Sequence, residues 1–254
     1  MSLRSTKHQQ PFLDRISFRD SYLATREVKA QKILKVLRAQ GLNLSGASLA
    51  DIGCSRGHIT ERLAAEFAFT VGVDLDREVP SGARQFLYVQ ADGCLLPLAT
   101  GAFDVVLANH VLEHVSSPER LLNEVWRILK PGGLCYLACP NRLSLMEPHY
   151  RLPFLSWMPR PLADRYVRWC GRGDRYLDHM PTYWLLKQLT RQFRVQDQTV
   201  RVLKNPEQFL EGDPLNAGLN RFVAHCPSWI LKTLLPFAPV WILILHKEGV
   251  EASR

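Results

Sequence analysis

Two groups of residues in this chain have the types and spacing to do chemistry. The first is Ser48-Leu-Ala-Asp-Ile-Gly-Cys-Ser-Arg-Gly57. Leu49, Ala50 and Ile52 read as a buried strand carrying Asp51. Gly53 and Gly57 bracket a tight loop that a ligand can approach without Cβ interference. Ile59, Leu63 and Phe67 then recur at i, i+4 and i+8, one face of a helix. Strand, glycine loop and helix N-terminus together suit an anionic group, because unpaired N–H groups and the helix dipole point at it. Asp74 follows Gly57 by 17 positions, close to the spacing at which an acid meets a ribose in nucleotide-binding α/β folds. The second group is His110, Glu113 and His114, at i, i+3 and i+4, which share a face if the segment is helical. Imidazoles exchange protons near neutral pH, and with a carboxylate they can also hold a metal ion.

The elements around these groups alternate. Residues 21–40 read as a helix with Ala30, Ile33, Leu34 and Leu37 on one side, stopped by Gly41. Strands follow at 49–52, 69–74, 86–91, 103–108 and 134–139. The stretch from Asp74 to Phe86, interrupted by Pro80 and Gly82, is short for a parallel crossover, so its helix is expected to be truncated or missing. Ser117-Pro118 starts a helix with Leu121, Leu122, Val125, Ile128 and Leu129 as its stripe, and Pro131-Gly132-Gly133 ends it. A helix over 182–192 and an antiparallel pair, 193–203 with 240–246, complete the pattern. The fold class is α/β, a doubly wound, seven-stranded, mostly parallel sheet.

A dinucleotide fingerprint would need Gly-x-Gly-x-x-Gly, and the loop offers Gly53, Ser55 and no third glycine, which disfavours a nicotinamide enzyme. The Asp-x-Gly-x-x-x-Gly form resembles motif I of class I S-adenosylmethionine-dependent methyltransferases. Downstream, Ala91-Asp-Gly-Cys-Leu-Leu-Pro-Leu, Ala102-Phe-Asp-Val-Val, Val111-Leu-Glu-His-Val and Ile128-Leu-Lys-Pro-Gly-Gly follow in order. They resemble the successive motifs of the quinone-biosynthesis-like group (methyltransferase domain type 11), over about residues 47–141. The resemblance implies a Rossmann-like methyltransferase fold and S-adenosylmethionine as cofactor. It assigns Asp51 and the Gly53 backbone to the methionine amino end, with the helix start after Gly57 near the carboxylate, and counts Cys54 among the cofactor-binding residues. Asp74, with Leu75 beside it, would meet the ribose, Asp92 and Gly93 the adenine edge, and Asn109 would lie beneath the methionine. His110, Glu113 and His114 have three readings: a structural turn, a general base at His114 or His110, or, with His179, a divalent-metal site. Metal-binding relatives carry Glu-x-x-Glu-His, and His110 stands where their first glutamate would be, so no metal is assigned.

Four segments follow: a helical N-terminal part (1–45), a cofactor-binding core (46–141), an acceptor-facing insertion (142–181), and 182–254 with a second apolar insertion at about 204–238. The net charge of +8 is concentrated in 142–204, with twelve basic and five acidic residues. There Trp157 and Trp169 alternate with arginines such as Arg160, a composition suited to an anionic, apolar partner. Six cysteines without a Cys-x-x-Cys pair, and no apolar N-terminal signal region, predict a cytoplasmic protein. The apolar stretch at 229–241 is broken by Lys232, Pro236 and Pro239, which opposes a membrane span but allows peripheral contact with an anionic membrane. The expected activity is methyl transfer to a small-molecule or lipid-linked acceptor, at oxygen. RNA methylation and a non-catalytic, cofactor-binding subunit are the alternatives; the chain shows no RNA-binding module, which makes nucleic acid the weaker partner.

Overall fold

The side chains of a strand covered on both faces must go alternately to two cores, and the sequence of β1 does this from its first residues. A computed structural model of the protein describes residues 16–76, 85–209 and 223–249. Among these residues, seven strands form one sheet: β1 (Ser48–Ile52), β2 (Phe69–Asp74), β3 (Leu87–Gln90), β4 (Phe103–Asn109), β5 (Leu129–Pro140), β6 (Arg194–Asp197) and β7 (Val240–His246). Their order is β3-β2-β1-β4-β5-β7-β6. β1 to β5 run parallel, and β7 is antiparallel to both β5 and β6. The doubly wound α/β sheet with an antiparallel C-terminal pair is the architecture the strand pattern predicts.

Leu49, Val105, Leu107, Tyr136 and Ile244 pack on one face, against Ile33, Leu34 and Leu37 of α1 (Ile16–Arg38) and Ile59 and Leu63 of α2 (His58–Ala64). Ala50, Ile52, Val106, Leu137 and Leu245 pack on the other, against Leu121, Leu122, Val125 and Ile128 of α3 (Pro118–Ile128). α3 starts where Ser117 caps it, its hydroxyl accepting the Arg120 N–H at 3.4 Å. With one apolar stripe fixed on the sheet, the loops at the C-terminal ends of β1, β2 and β4 are held in place.

Several boundaries differ from the sequence reading. β5 begins at Leu129, immediately after α3, because Gly132 turns with φ 80° and its N–H donates to the Lys247 carbonyl. Proline and glycines end the helix but extend the ladder. The predicted strand at 193–203 stops at Asp197, whose Oδ1 accepts the Thr199 N–H at 2.7 Å. The chain then turns into α6 (Thr199–Lys204), which buries Thr199 and Val202. The apolar residues there serve a helix face, not a strand. The predicted helix at 182–192 forms as α5 (Tyr183–Leu189). The expected truncated crossover falls largely on 77–84, and part of the second apolar insertion on 210–222; both lie outside the described residues.

Residues 142–181 gather their own small apolar cluster, Leu152, Leu155, Ala163, Val167 and Tyr176, around α4 (Arg160–Trp169). Asn141 ties the start of this segment to the approach to β7, donating to the carbonyls of Pro236 and Ala238 at 2.9 and 2.8 Å. After the short α7 (Pro206–Phe209), α8 (Ser228–Leu234) leads back to β7. Trp241 is fully buried and donates to the Leu235 carbonyl, whereas Trp229 and Phe237 are exposed. Among the described residues, no helix is long and apolar enough to cross a membrane.

Leu121 has no exposed surface, so Leu121→Ala should cost about 2–5 kcal/mol in urea unfolding. Loss of the cap in Ser117→Ala should cost about 1 kcal/mol. Equal, small losses at both positions would contradict this packing.

Candidate functional site

The loop after β1 is shaped by close approach. Gly53 has φ 75°, and a Cβ there would lie 2.4 Å from Cγ2 of Val111. Gly57 has φ 76°, and a Cβ there would meet Cζ of Phe86 at 2.6 Å. Both positions therefore require glycine on two counts. Between them Ser55 takes φ 50°, costly for a residue with a side chain. The Gly53 and Cys54 N–H groups both donate to the Val73 carbonyl, at 2.7 and 3.0 Å, and the Ser55 N–H donates to Asp74 Oδ2 at 2.6 Å. The loop is thus braced against the end of β2, and these donors are already used. That modifies the expectation of a helix-terminus anion cradle, since α2 is also only seven residues long.

A cleft at this loop is lined by Asp51, Gly53, Cys54, Ser55 and Asn109, together with Arg26, Arg56 and His58. Arg26 comes from α1 and brings positive charge that the sequence reading did not anticipate. Asp51 is buried and accepts the Thr60 hydroxyl at 2.5 Å. Burial pushes its carboxyl up to about 7; the Thr60 hydrogen bond opposes this and nearby Asp74 adds to it. Asp74 Oδ1 accepts the Asp76 N–H at 3.1 Å, so each of its oxygens has one donor and a lone pair to spare. The Leu75 carbonyl accepts from the Gln90 side chain at 3.0 Å. Asp92 Oδ1 accepts the Cys94 N–H at 2.8 Å, and Gly93 follows it against Ile52 and Leu121. Asp74, Leu75, Asp92 and Gly93 stand outside the cleft lining, in the segments that follow or end β2 and β3.

The second group lies in the turn after β4. The segment is not helical: His110 takes φ 58° while its N–H donates to the Ala138 carbonyl, and the His114 N–H donates to the Val111 carbonyl. The turn nevertheless brings His110 Nδ1 to 3.4 Å and His114 Nε2 to 4.0 Å from Oε1 of Glu113. The 142–181 insertion adds groups the sequence reading did not select. Asp178 Oδ1 is 2.9 Å from His114 Nδ1, and its Oδ2 is 3.0 Å from His149 Nδ1. Glu147 Oε1 is 3.3 Å from the same His149 nitrogen. Burial disfavours charge on His149, but Asp178 and Glu147 outweigh it and hold the ring protonated up to about 10. Burial would raise Asp178, yet His114 and His149 hold it well below the usual carboxylate range. His110 is shifted down, chiefly by burial, with Glu113 opposing.

His179 enters differently from the expectation: its main-chain N–H donates to the Glu113 carbonyl at 2.8 Å. Arg160, grouped with the acceptor-facing cations from sequence, instead donates to the main-chain carbonyls of Tyr176 and Asp178 and lies over the Tyr176 ring. It holds Asp178 in place. A signal for these residues was present: in a segment with few acids, Glu147 stands two residues from His149, and Asp178 adjoins His179.

The family profile described as "Methyltransferase domain" matches residues 50–137. An uncharacterized methyltransferase from Mycobacterium sp. (strain JLS) is 39% identical over 135 residues, 51% of this chain and 53% of that protein. A ubiquinone biosynthesis O-methyltransferase from Xanthomonas oryzae pv. oryzae (strain PXO99A) is 36% identical over 110 residues, 40% of this chain and 46% of that one. The chain spans about half the length of the curated relatives it matches. The crystal structure of an S-adenosylmethionine dependent methyltransferase from Mesorhizobium loti shares the fold, with a TM-score of 0.53 at 18% identity over 83% of this chain and 95% of that one. Residues 50–137, from β1 into β5, are thus the part of the chain that is similar to the methyltransferase domain.

Proposed function

We propose that the chain transfers the methyl group of S-adenosylmethionine to an oxygen of a small-molecule or lipid-linked acceptor. The observation that carries this reading is the continuity of cleft and turn: Asn109 lines the cleft, and the next five residues deliver His114, backed by Asp178 at 2.9 Å. The groups that line the cleft, together with Asp74 and Asp92 outside its lining, fit the cofactor. Asp51 suits the methionine ammonium, and Arg26 its carboxylate. The spare lone pairs of Asp74 suit the ribose hydroxyls, and the Asp92-Gly93 segment the adenine edge. When bound, S-adenosylmethionine supplies a methyl group already activated by its sulfonium, which the acceptor oxygen attacks as the carbon–sulfur electron pair returns to sulfur.

The protein then has two tasks, to align the acceptor and to take its proton. Alignment is worth about 7–11 kcal/mol. His114 Nε2 accepts the hydroxyl proton, and Asp178 beside Nδ1 stabilises the imidazolium that results. Of the two histidines selected from sequence, His114 has this carboxylate behind its far nitrogen, which favours it over His110. Oxygen as the target agrees with the name of the Xanthomonas relative. An amphiphilic acceptor agrees with the exposed Trp169 and Trp229 and with the excess of arginine in the insertion.

Incubation with methyl-tritiated S-adenosylmethionine and cell extract should label an organic-extractable, RNase-resistant product, and His114→Gln should lower its turnover about 10²–10⁴-fold. Label released by RNase would contradict the acceptor class. Asp74→Ala removes charge-assisted hydrogen bonds worth about 1.5–3 kcal/mol each, so calorimetry on the folded variant should show weakened cofactor binding, and unchanged affinity would contradict the ribose role.

The Asp51 carboxyl, held at about 7, ionises over the working pH range. Its charged fraction rises about tenfold from pH 6 to pH 8, so cofactor affinity should rise over that window, flatten above it, and lose the dependence in Asp51→Asn. Folding stability should move the other way. The folded state keeps a proton that the unfolded state releases, so the residue's contribution falls as pH climbs from the ordinary value of 3.8 through about 7. Cofactor affinity that is flat across this window would contradict the assignment of Asp51 to the ammonium.

A further inference from the structure

Glu113 has no exposed surface, and neither of its carboxylate oxygens has a hydrogen-bond partner. A carboxylate removed from water without donors is costly to the fold that keeps it. Three imidazole nitrogens face its Oε1: His110 Nδ1 at 3.4 Å, His149 Nε2 at 3.9 Å and His114 Nε2 at 4.0 Å. These separations are long for hydrogen bonds. Against its burial, Asp178 at 3.0 Å and Glu147 at 3.3 Å hold the proton on His149, and so share its charge. Burial, the larger influence on His110, pushes that ring toward its neutral form. Among the described residues, Glu113 thus has no cation to itself. Its field is still felt: after burial, it is what raises the Cys139 thiol.

The side chain sits on a turn where positive charge comes and goes. Two residues before Glu113 is Val111, whose Cγ2 fills the space that a Cβ on Gly53 would need. Asn109, on the other side of Val111, lines the cleft. The turn is therefore packed on the loop assigned to the cofactor. In the transfer proposed above, the acceptor oxygen bonds the methyl carbon, the carbon–sulfur electron pair returns to sulfur, and the hydroxyl proton passes to His114 Nε2. One positive charge is lost at sulfur and one appears on the imidazole. A fixed negative charge beside this turn acts on both, and more strongly than it would in water.

We infer that Glu113 is a buried counter-charge by which the cleft prefers the sulfonium of S-adenosylmethionine to the neutral thioether of S-adenosylhomocysteine. It selects by charge and is not a catalytic residue, since it need not touch the reacting atoms. The same carboxylate stabilises the proton on His114 as the thioether forms, and the neutral product, which the carboxylate no longer holds, leaves more readily. The inference rests on the placement of the cofactor in the cleft. It gives a role to a charge that an apolar side chain of similar volume could replace without loss of stability.

The test is calorimetric titration of the full chain with S-adenosylmethionine, S-adenosylhomocysteine and sinefungin, which carries an ammonium group in place of the sulfonium. Glu113→Gln and Glu113→Met remove the charge, and each should lower affinity for the two cations about tenfold relative to S-adenosylhomocysteine. Glu113→Asp keeps the charge and should restore most of that ratio. Glu124→Gln on α3, where the native carboxylate is paired with Arg127 at 2.8 Å, should leave it unchanged. Far-UV circular dichroism checks each variant, and Glu113→Met carries the test if Glu113→Gln does not fold. An equal loss of affinity for all three ligands is what a purely structural glutamate gives. That result, or an unchanged ratio, in a folded charge-free variant would overturn the inference and leave the cofactor reading intact. A fall for S-adenosylmethionine without one for sinefungin would trace the effect to the methyl group and overturn it too. A wild-type chain that binds none of the three would overturn the cofactor reading, and this inference with it.

Discussion

The site depends on one close contact between two loops. Gly53 leaves out the Cβ that would sit 2.4 Å from Cγ2 of Val111. The loop after β1 and the turn after β4 are therefore packed directly together. β1 and β4 are also neighbours in the sheet, with Asp51 opposite Leu107 and Ile52 opposite Ala108. The glycine loop and the histidine turn thus form one packed unit at the C-terminal ends of two central strands, where open α/β sheets bind their ligands. Any side chain at position 53 would drive the two apart and also force a left-handed backbone on a residue that resists it.

Much of this was legible in the sequence because it is local. Asp51, Gly53 and Gly57 announce a strand, a turn and a helix within ten residues, and the stripe of α3 repeats at helical spacing. The C-terminal pair was harder. Val200 and Val202 look like strand residues until Asp197 turns the chain and gives them a helix face. The extension of β5 back to Leu129 depends on a partner, Lys247, far along the chain. Backbone pairing of that range leaves no periodic mark in either segment.

The half of the site supplied by the insertion was the least legible. Its excess of positive charge drew the sequence reading toward the arginines, yet the few acids carry the geometry. Arg160 spends its guanidinium on the carbonyls of Tyr176 and Asp178, fixing the carboxylate that stands behind His114 and His149. Three histidines and three carboxylates from separate segments then meet in a partly buried space. Their proximity is a tertiary fact, and only the pairing of Glu147 with His149 and of Asp178 with His179 hints at it in one dimension.

The central claim is that the cleft between α1, the loop after β1 and the end of β4 holds S-adenosylmethionine. A crystal structure of the chain with S-adenosylhomocysteine tests it most directly. The account predicts the amino group at Asp51, the carboxylate toward Arg26 and the ribose hydroxyls on Asp74, with the sulfur facing the turn that carries His114. A ligand bound away from Asp51 and Asp74, or with its sulfur turned from that histidine, would contradict it.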